Sequence, residues 1–147
     1  MFKKNHQKKI FIFTDGGSRG NPGPAALGVV IQDENGNLIK EYGEFLGEKT
    51  NNEAEYEAVI FALKKIKHLF GKKKIKEMEV AVKTDSELLT RQLNGEYKIE
   101  NANLQSLFMK VWNLKIDFGE INFQHVAREK NKRADRLVNN ILNSRLF

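Results

Sequence analysis

At 147 residues, 40% hydrophobic and 30% charged, the chain has the size and balance of one globular domain spanning 1–147, and its composition excludes a disordered or low-complexity protein. It contains no cysteine, which excludes disulfides and thiolate metal sites, gives no sign of an oxidising compartment, and makes the cytoplasm the expected location. A net charge of +6 favours polyanionic partners without naming one.

The basic start MFKKNHQKK leads into an apolar run of only Ile10 to Phe13, too short for an export signal or a membrane span, so no membrane partner is expected. Residues 8–15 (KKIFIFTD) predict a central strand closed by a glycine-rich, irregular loop. Residues 25–33 and 38–47 flank the turn ENGN, with Asn35-Gly36 as the turn dipeptide, and predict a hairpin. TNNEAEYEAVIFALKKIKHLFG is the clearest helix. Thr50 to Asn52 offer caps, acids fill the first turns, lysines the last, and Gly71 closes it. Residues 78–85 predict a strand, Ser86 to about Leu93 a helix stopped by Asn94-Gly95, and NANLQSLFMKVWNL another helix. EINFQHV reads as a strand and residues 131–143 as a final helix. The order βββαβααβα predicts an α/β protein with a mixed sheet and helices packed on it.

Four acids separate from the rest. Asp15 and Asp85 each end a predicted strand, in the settings TDGG and TDSE, and in an open α/β sheet that edge is where ligands bind. Glu55 shares a helical stripe with Ala58, Val59, Ala62, Leu63 and Ile66 and faces the core, whereas Glu53 and Glu57 lead towards Ile60 and Lys64 on a mixed, wet flank. Asp135 lines up with Val138 and Leu142, while Arg133 and Arg136 fall off that stripe. Singly, each acid reads equally well as a helix cap or a dipole partner. Together they do not, because two carboxylates about 5 Å apart repel by about 3 kcal/mol at an effective dielectric of 20. A divalent cation is the natural neutraliser, and oxygen-only ligands point to Mg²⁺ or Mn²⁺. A pair of such ions suits in-line displacement at phosphorus.

TDGGSRGNPGPAALG, TNNEAEYEA, TDSELLTRQLNG and REKNKRADRLVN, in that order, closely resemble the type 1 ribonuclease H family from about Lys9 to Leu142. The pattern is that of a short-loop, prokaryotic-type member without an added hybrid-binding domain. The resemblance implies the ribonuclease H-like fold: a five-stranded mixed sheet, three antiparallel strands then parallel strands, with helices on both faces. It implies an endoribonuclease that hydrolyses the RNA strand of RNA/DNA hybrids with two Mg²⁺ ions, Mn²⁺ being a possible substitute. The products would carry 5′-phosphate and 3′-hydroxyl ends. Its four acids fall on Asp15, Glu55, Asp85 and Asp135, as catalytic residues and metal ligands. It also implies that Gly16, Gly17, Ser18, Asn21, Asn51 and Asn52 touch the RNA minor groove and that Thr50 grips a DNA phosphate. Asn131 matches the asparagine shortly before the last acid, which the resemblance implies contacts the substrate. For the group that moves protons or helps product leave there are two candidates, His125, which reads as a strand residue, and Arg128 on the short loop. The chemistry suits the role, since 2′-hydroxyl contacts distinguish RNA from DNA, and glycines let backbone approach a ribose. Capping is the competing reading for Asn51 and Asn52.

The rival readings are a nuclease of the same fold acting also on duplex RNA, and a non-catalytic nucleic-acid-binding module. GGSRGNPG lacks the Gly-Lys-Ser/Thr of a P-loop and the spacing of a dinucleotide fingerprint. The lysine-rich residues 64–76 read as a solvated helix end complementing the helix dipole, Trp112 as part of a core-facing stripe with Phe108 and Val111, and His6 and His68 as surface residues. A monomer is expected.

Overall fold

The computed structural model describes residues 8–145, so the reading of His6 lies outside the described residues. Five strands form one mixed sheet in the order β3-β2-β1-β4-β5. β1 (Lys8–Ser18), β2 (Gly23–Asp33) and β3 (Leu38–Lys49) make an antiparallel meander, and β4 (Met78–Thr84) and β5 (Glu120–His125) extend it in parallel. The β2–β3 turn is held by the Asp33 carboxylate, which accepts from the N–H groups of Asn35 and Asn37 at 2.9 Å, and by Gly36 at a φ of 85°.

The helices are α1 (Asn51–Phe70), α2 (Lys72–Ile75), α3 (Glu87–Leu93), α4 (Ala102–Ile116) and α5 (Lys132–Asn143), with a 3₁₀ turn at Arg128–Lys130. Strand alternation sorts them between the two faces. Leu27, Val29 and Ile31 of β2 join Val59, Leu63 and Ile66 of α1 and Leu107 and Val111 of α4 in the main core. Ala26 points the other way and joins Val138 and Leu142 of α5 in a second, smaller core. Each fully buried Leu, Ile or Val contributes about 1.5–3 kcal/mol, so the sheet is clamped from both sides.

Two glycines set how closely the clamp shuts. A Cβ on Gly16 would stand 2.3 Å from the Ala54 carbonyl of α1, and one on Gly28 would stand 2.3 Å from the Ala134 oxygen of α5. Gly28 is the cross-strand partner of Asp15. The first turns of both helices therefore press onto the sheet beside that acid.

The expected fold is observed, with local corrections. Asp15 does not end β1. Pairing with β4 stops at Phe13↔Lys83, but pairing with β2 runs on through Gly16↔Leu27 and Gly17↔Ala26 to Ser18↔Ala25. The glycines thus continue a strand that has lost its neighbour on one side, and only residues 19–22 form the irregular turn. Ile60, assigned from periodicity to a wet flank, is buried at 4% exposure. Trp112 is 49% exposed and stacks on Phe108, which packs against the core, while Val111 lies within it. The lysine-rich run breaks at Gly71 into the separate turn α2. No helix among the described residues is long and apolar enough to cross a membrane.

Candidate active site

The edge left open where β1 and β4 part is where the acids gather. Alternation puts Asp15 on the α5 side of β1, Glu55 enters from the first turns of α1, and Asp85 immediately follows β4. Carboxylate oxygens of these three lie within 4.8 Å of one another. They line a cleft of about 330 Å³ together with Gly16, Gly17, Ser18, Asn51, Arg128 and Asp135. Asp135 is exposed and outside the set of three, yet close enough to Asp15 for a side-chain hydrogen bond.

Electrostatics bear out the crowding. Burial, then the charges of Asp85, Asp135 and Glu55, push the Asp15 carboxyl up to about 8. Burial and Asp85 push Glu55 up to about 7, against a hydrogen bond from Ser86. Asp85 is raised by burial, with the Arg128 guanidinium opposing and Asp135 adding. Three carboxylates this close cannot all ionise at neutral pH unaided, and an all-oxygen donor set of this kind fits a hard divalent cation.

Local structure orients these groups. Thr50 caps α1 in a capping box with Glu53, its hydroxyl accepting from the Glu53 N–H at 3.1 Å. That displaces Asn51 and Asn52 from the capping role and leaves their amides in the helix's first turn. The Asn51 side chain donates to Glu55 Oε2 at 3.2 Å, and its N–H donates to Asn21 Oδ1 at 3.1 Å, tying the β1–β2 turn to α1. The Ser18 hydroxyl donates to the carbonyls of Gly20 and Lys49.

The remaining expected residues divide. Arg128 borders the cleft, Nε 3.9 Å from Asp85 Oδ2 and the side chain 89% exposed. His125 ends β5 in an adjoining cleft with Glu87, Arg91 and Asn94. Thr50, Asn21 and Asn52 do not line the main cleft. Asn131 departs most from its expected substrate contact: it is 1% exposed, and its amide donates to the Thr14 carbonyl at 2.9 Å. It is a strut between α5 and the β1 residue preceding Asp15.

Three cleft residues escaped the sequence reading. Ser86 caps α3 by accepting from the Leu89 N–H, a role that TDSE does signal. Asn139, one helical turn after Asp135, donates to its Oδ2 at 3.3 Å. Arg19 donates to Asn143 Oδ1 at 2.6 Å, a contact between distant segments that no local pattern signals.

A carboxylate cluster at the edge of this mixed sheet defines a ribonuclease H-like protein. Residues 13–141 match the Reverse transcriptase-like family. The ribonuclease HI of Halobacterium salinarum is 36% identical over 134 residues, covering 91% of this chain and 64% of its own, and the ribonuclease H of Pseudomonas entomophila is 30% identical, covering 88% and 90%. Among solved structures, LC11 ribonuclease H1, isolated from compost, superposes with a TM-score of 0.88 at 48% identity, covering 92% of this chain and 96% of that one. LC11 has also been solved with an RNA/DNA hybrid. The chain belongs to the ribonuclease H family, in its type 1 form. It spans about a third of the length of some curated relatives, 36% in the case of a bifunctional protein of Mycobacterium tuberculosis.

Proposed function

We propose that this chain is an endoribonuclease that hydrolyses the RNA strand of RNA/DNA hybrids, acting as a single catalytic domain, as a monomer and in the cytoplasm. The observation that carries the reading is the set of three carboxylates within 4.8 Å, in a cleft bordered by backbone-rich Gly16–Ser18, in a chain of this family. Asp15, Glu55 and Asp85 would hold Mg²⁺, with Asp135 completing the ligand set and Mn²⁺ as a substitute. When bound, a pair of such ions supplies an activated water and stabilises the leaving 3′-oxygen.

The chain's own residues supply the rest. Asn51 holds Glu55 through its amide and lines the cleft with Gly16, Gly17 and Ser18, where these residues would meet the ribose side of a bound hybrid. Asn21 fixes the turn beside Asn51, and Asn52 is exposed. Thr50, whose hydroxyl accepts from the Glu53 N–H, would grip a phosphate of the DNA strand. Arg128, whose Nε lies 3.9 Å from Asp85 Oδ2, would assist proton movement or product departure, with His125 in the adjoining cleft as the alternative.

The test is cleavage of end-labelled hybrid, RNA duplex and DNA duplex in Mg²⁺ and in Mn²⁺. The expected result is cutting of the hybrid's RNA strand alone, leaving 5′-phosphates. Asp85→Asn is expected to reduce it more than about a hundredfold, beyond the loss that residues merely adjoining a metal ligand bring. Cutting of DNA duplex, or full activity in Asp85→Asn, would overturn the reading.

A further inference from the structure

The lysine-rich run of residues 64–76 holds seven lysines and no acid. The helix dipole accounts for little of it, because only Lys67 and His68 lie in the last turn of α1. Lys67 pairs with Asp117 at 2.7 Å, and Lys65 sits over the rings of Tyr42 and Phe61. Lys64, Lys72, Lys73, Lys74 and Lys76 are exposed and make no ion pair among the described residues. Four of these come from one short segment. Gly71 turns the chain out of α1 at a φ of 85°, and buried Ile75 pins α2, leaving its lysines to solvent. Lys72 and Lys76 stand near enough to Asp117 to help lower its carboxyl, so the charges gather around one acid that Lys67 already neutralises.

This cluster is far from the carboxylates. Glu55 is in the first turns of α1 and α2 follows its last; the helix, 20 residues at about 1.5 Å each, is about 30 Å long. Gly119 N–H bonds to the Ile75 carbonyl just before β5, which places α2 at the opposite edge of the sheet from Asp85. The cluster and the carboxylates thus lie at opposite ends of α1.

We propose that Lys72, Lys73, Lys74 and Lys76 form a second nucleic-acid-binding surface, which holds the phosphate backbone of another duplex segment without reading its sequence. Closely spaced, uncompensated lysines match a polyanion whose charges recur about every 1.7 Å of axis, and each phosphate neutralised adds about 0.9 to the salt dependence of binding. The surface goes beyond the hydrolytic reading and stands without it.

The experiment measures binding of a labelled DNA duplex of about 30 base pairs by fluorescence anisotropy, in EDTA, from about 50 to 200 mM salt. The quadruple Lys→Gln variant at these four positions is expected to weaken binding at least tenfold at low salt and to reduce the log–log salt slope by about 2 to 4. The quadruple variant is expected to cut a short hybrid at the parent's rate. Unchanged affinity and slope in the quadruple variant would overturn the proposal, as would loss of binding to phosphatidylserine vesicles with duplex binding intact. If no form of the protein cuts hybrid, the hydrolytic reading fails while the duplex-binding result still decides this one.

Discussion

Replacing Asp15 with Asn, which keeps the shape and removes one charge, is expected to make the metal-free protein more stable and inactive. The folded-state carboxyl is pushed up to about 8 from an ordinary 3.8, first by burial and then by the three neighbouring acids. Because the folded value lies above the unfolded one, the folded protein binds an extra proton between about pH 4 and pH 8, and stability falls as pH rises through that window. At pH 8 the cost is at most on the order of 5 kcal/mol, and at pH 5 about 2 kcal/mol. Asp15→Asn removes it. In EDTA at pH 8, thermal unfolding followed by circular dichroism should show the variant melting higher by roughly 3 °C for each kcal/mol recovered, with the advantage narrowing at pH 5. Millimolar Mg²⁺ should reverse the order by stabilising the parent selectively, since a ligand that binds only the folded state raises its stability. A variant that melts lower than the parent at pH 8 in EDTA would refute the crowding of carboxylates on which the site rests.

Gly16→Ala places a Cβ 2.3 Å from helix backbone, and α1 must retreat; destabilisation of about 3 kcal/mol or more and loss of hybrid cleavage are expected, read by urea denaturation and activity together. Asn131→Ala leaves the buried Thr14 carbonyl without its donor and should cost about 1–3 kcal/mol in the same assay, with activity falling because Asp15 and α5 lose their connection. Thr50→Ala breaks the capping box and should cost about 1 kcal/mol by thermal melting. Arg128→Ala is expected to lower the multiple-turnover kcat more than His125→Ala does, and the reverse order would assign the role to His125.

The amino-acid sequence by itself determined the element order, the hairpin, the long helix and the inward face of Glu55. Each depends on periodicity or turn chemistry within a few residues. It also singled out the four acids, because a carboxylate on an apolar stripe or at a strand's end conflicts with local logic and shows as an anomaly. Only the tertiary structure decided what those acids do to one another: Asp15, Glu55 and Asp85 converge while Asp135 stays at the rim. Periodicity gives a direction around a helix but no distance between elements. The glycines after Asp15 read as an irregular loop because local propensity cannot see that β2 continues to pair with them, nor that Ala54 requires the missing side chain at Gly16. From sequence alone, Asn131 is expected to contact substrate for the same reason. Its partner, the Thr14 carbonyl, is remote in sequence, and burial of a polar side chain is set by what packs over it.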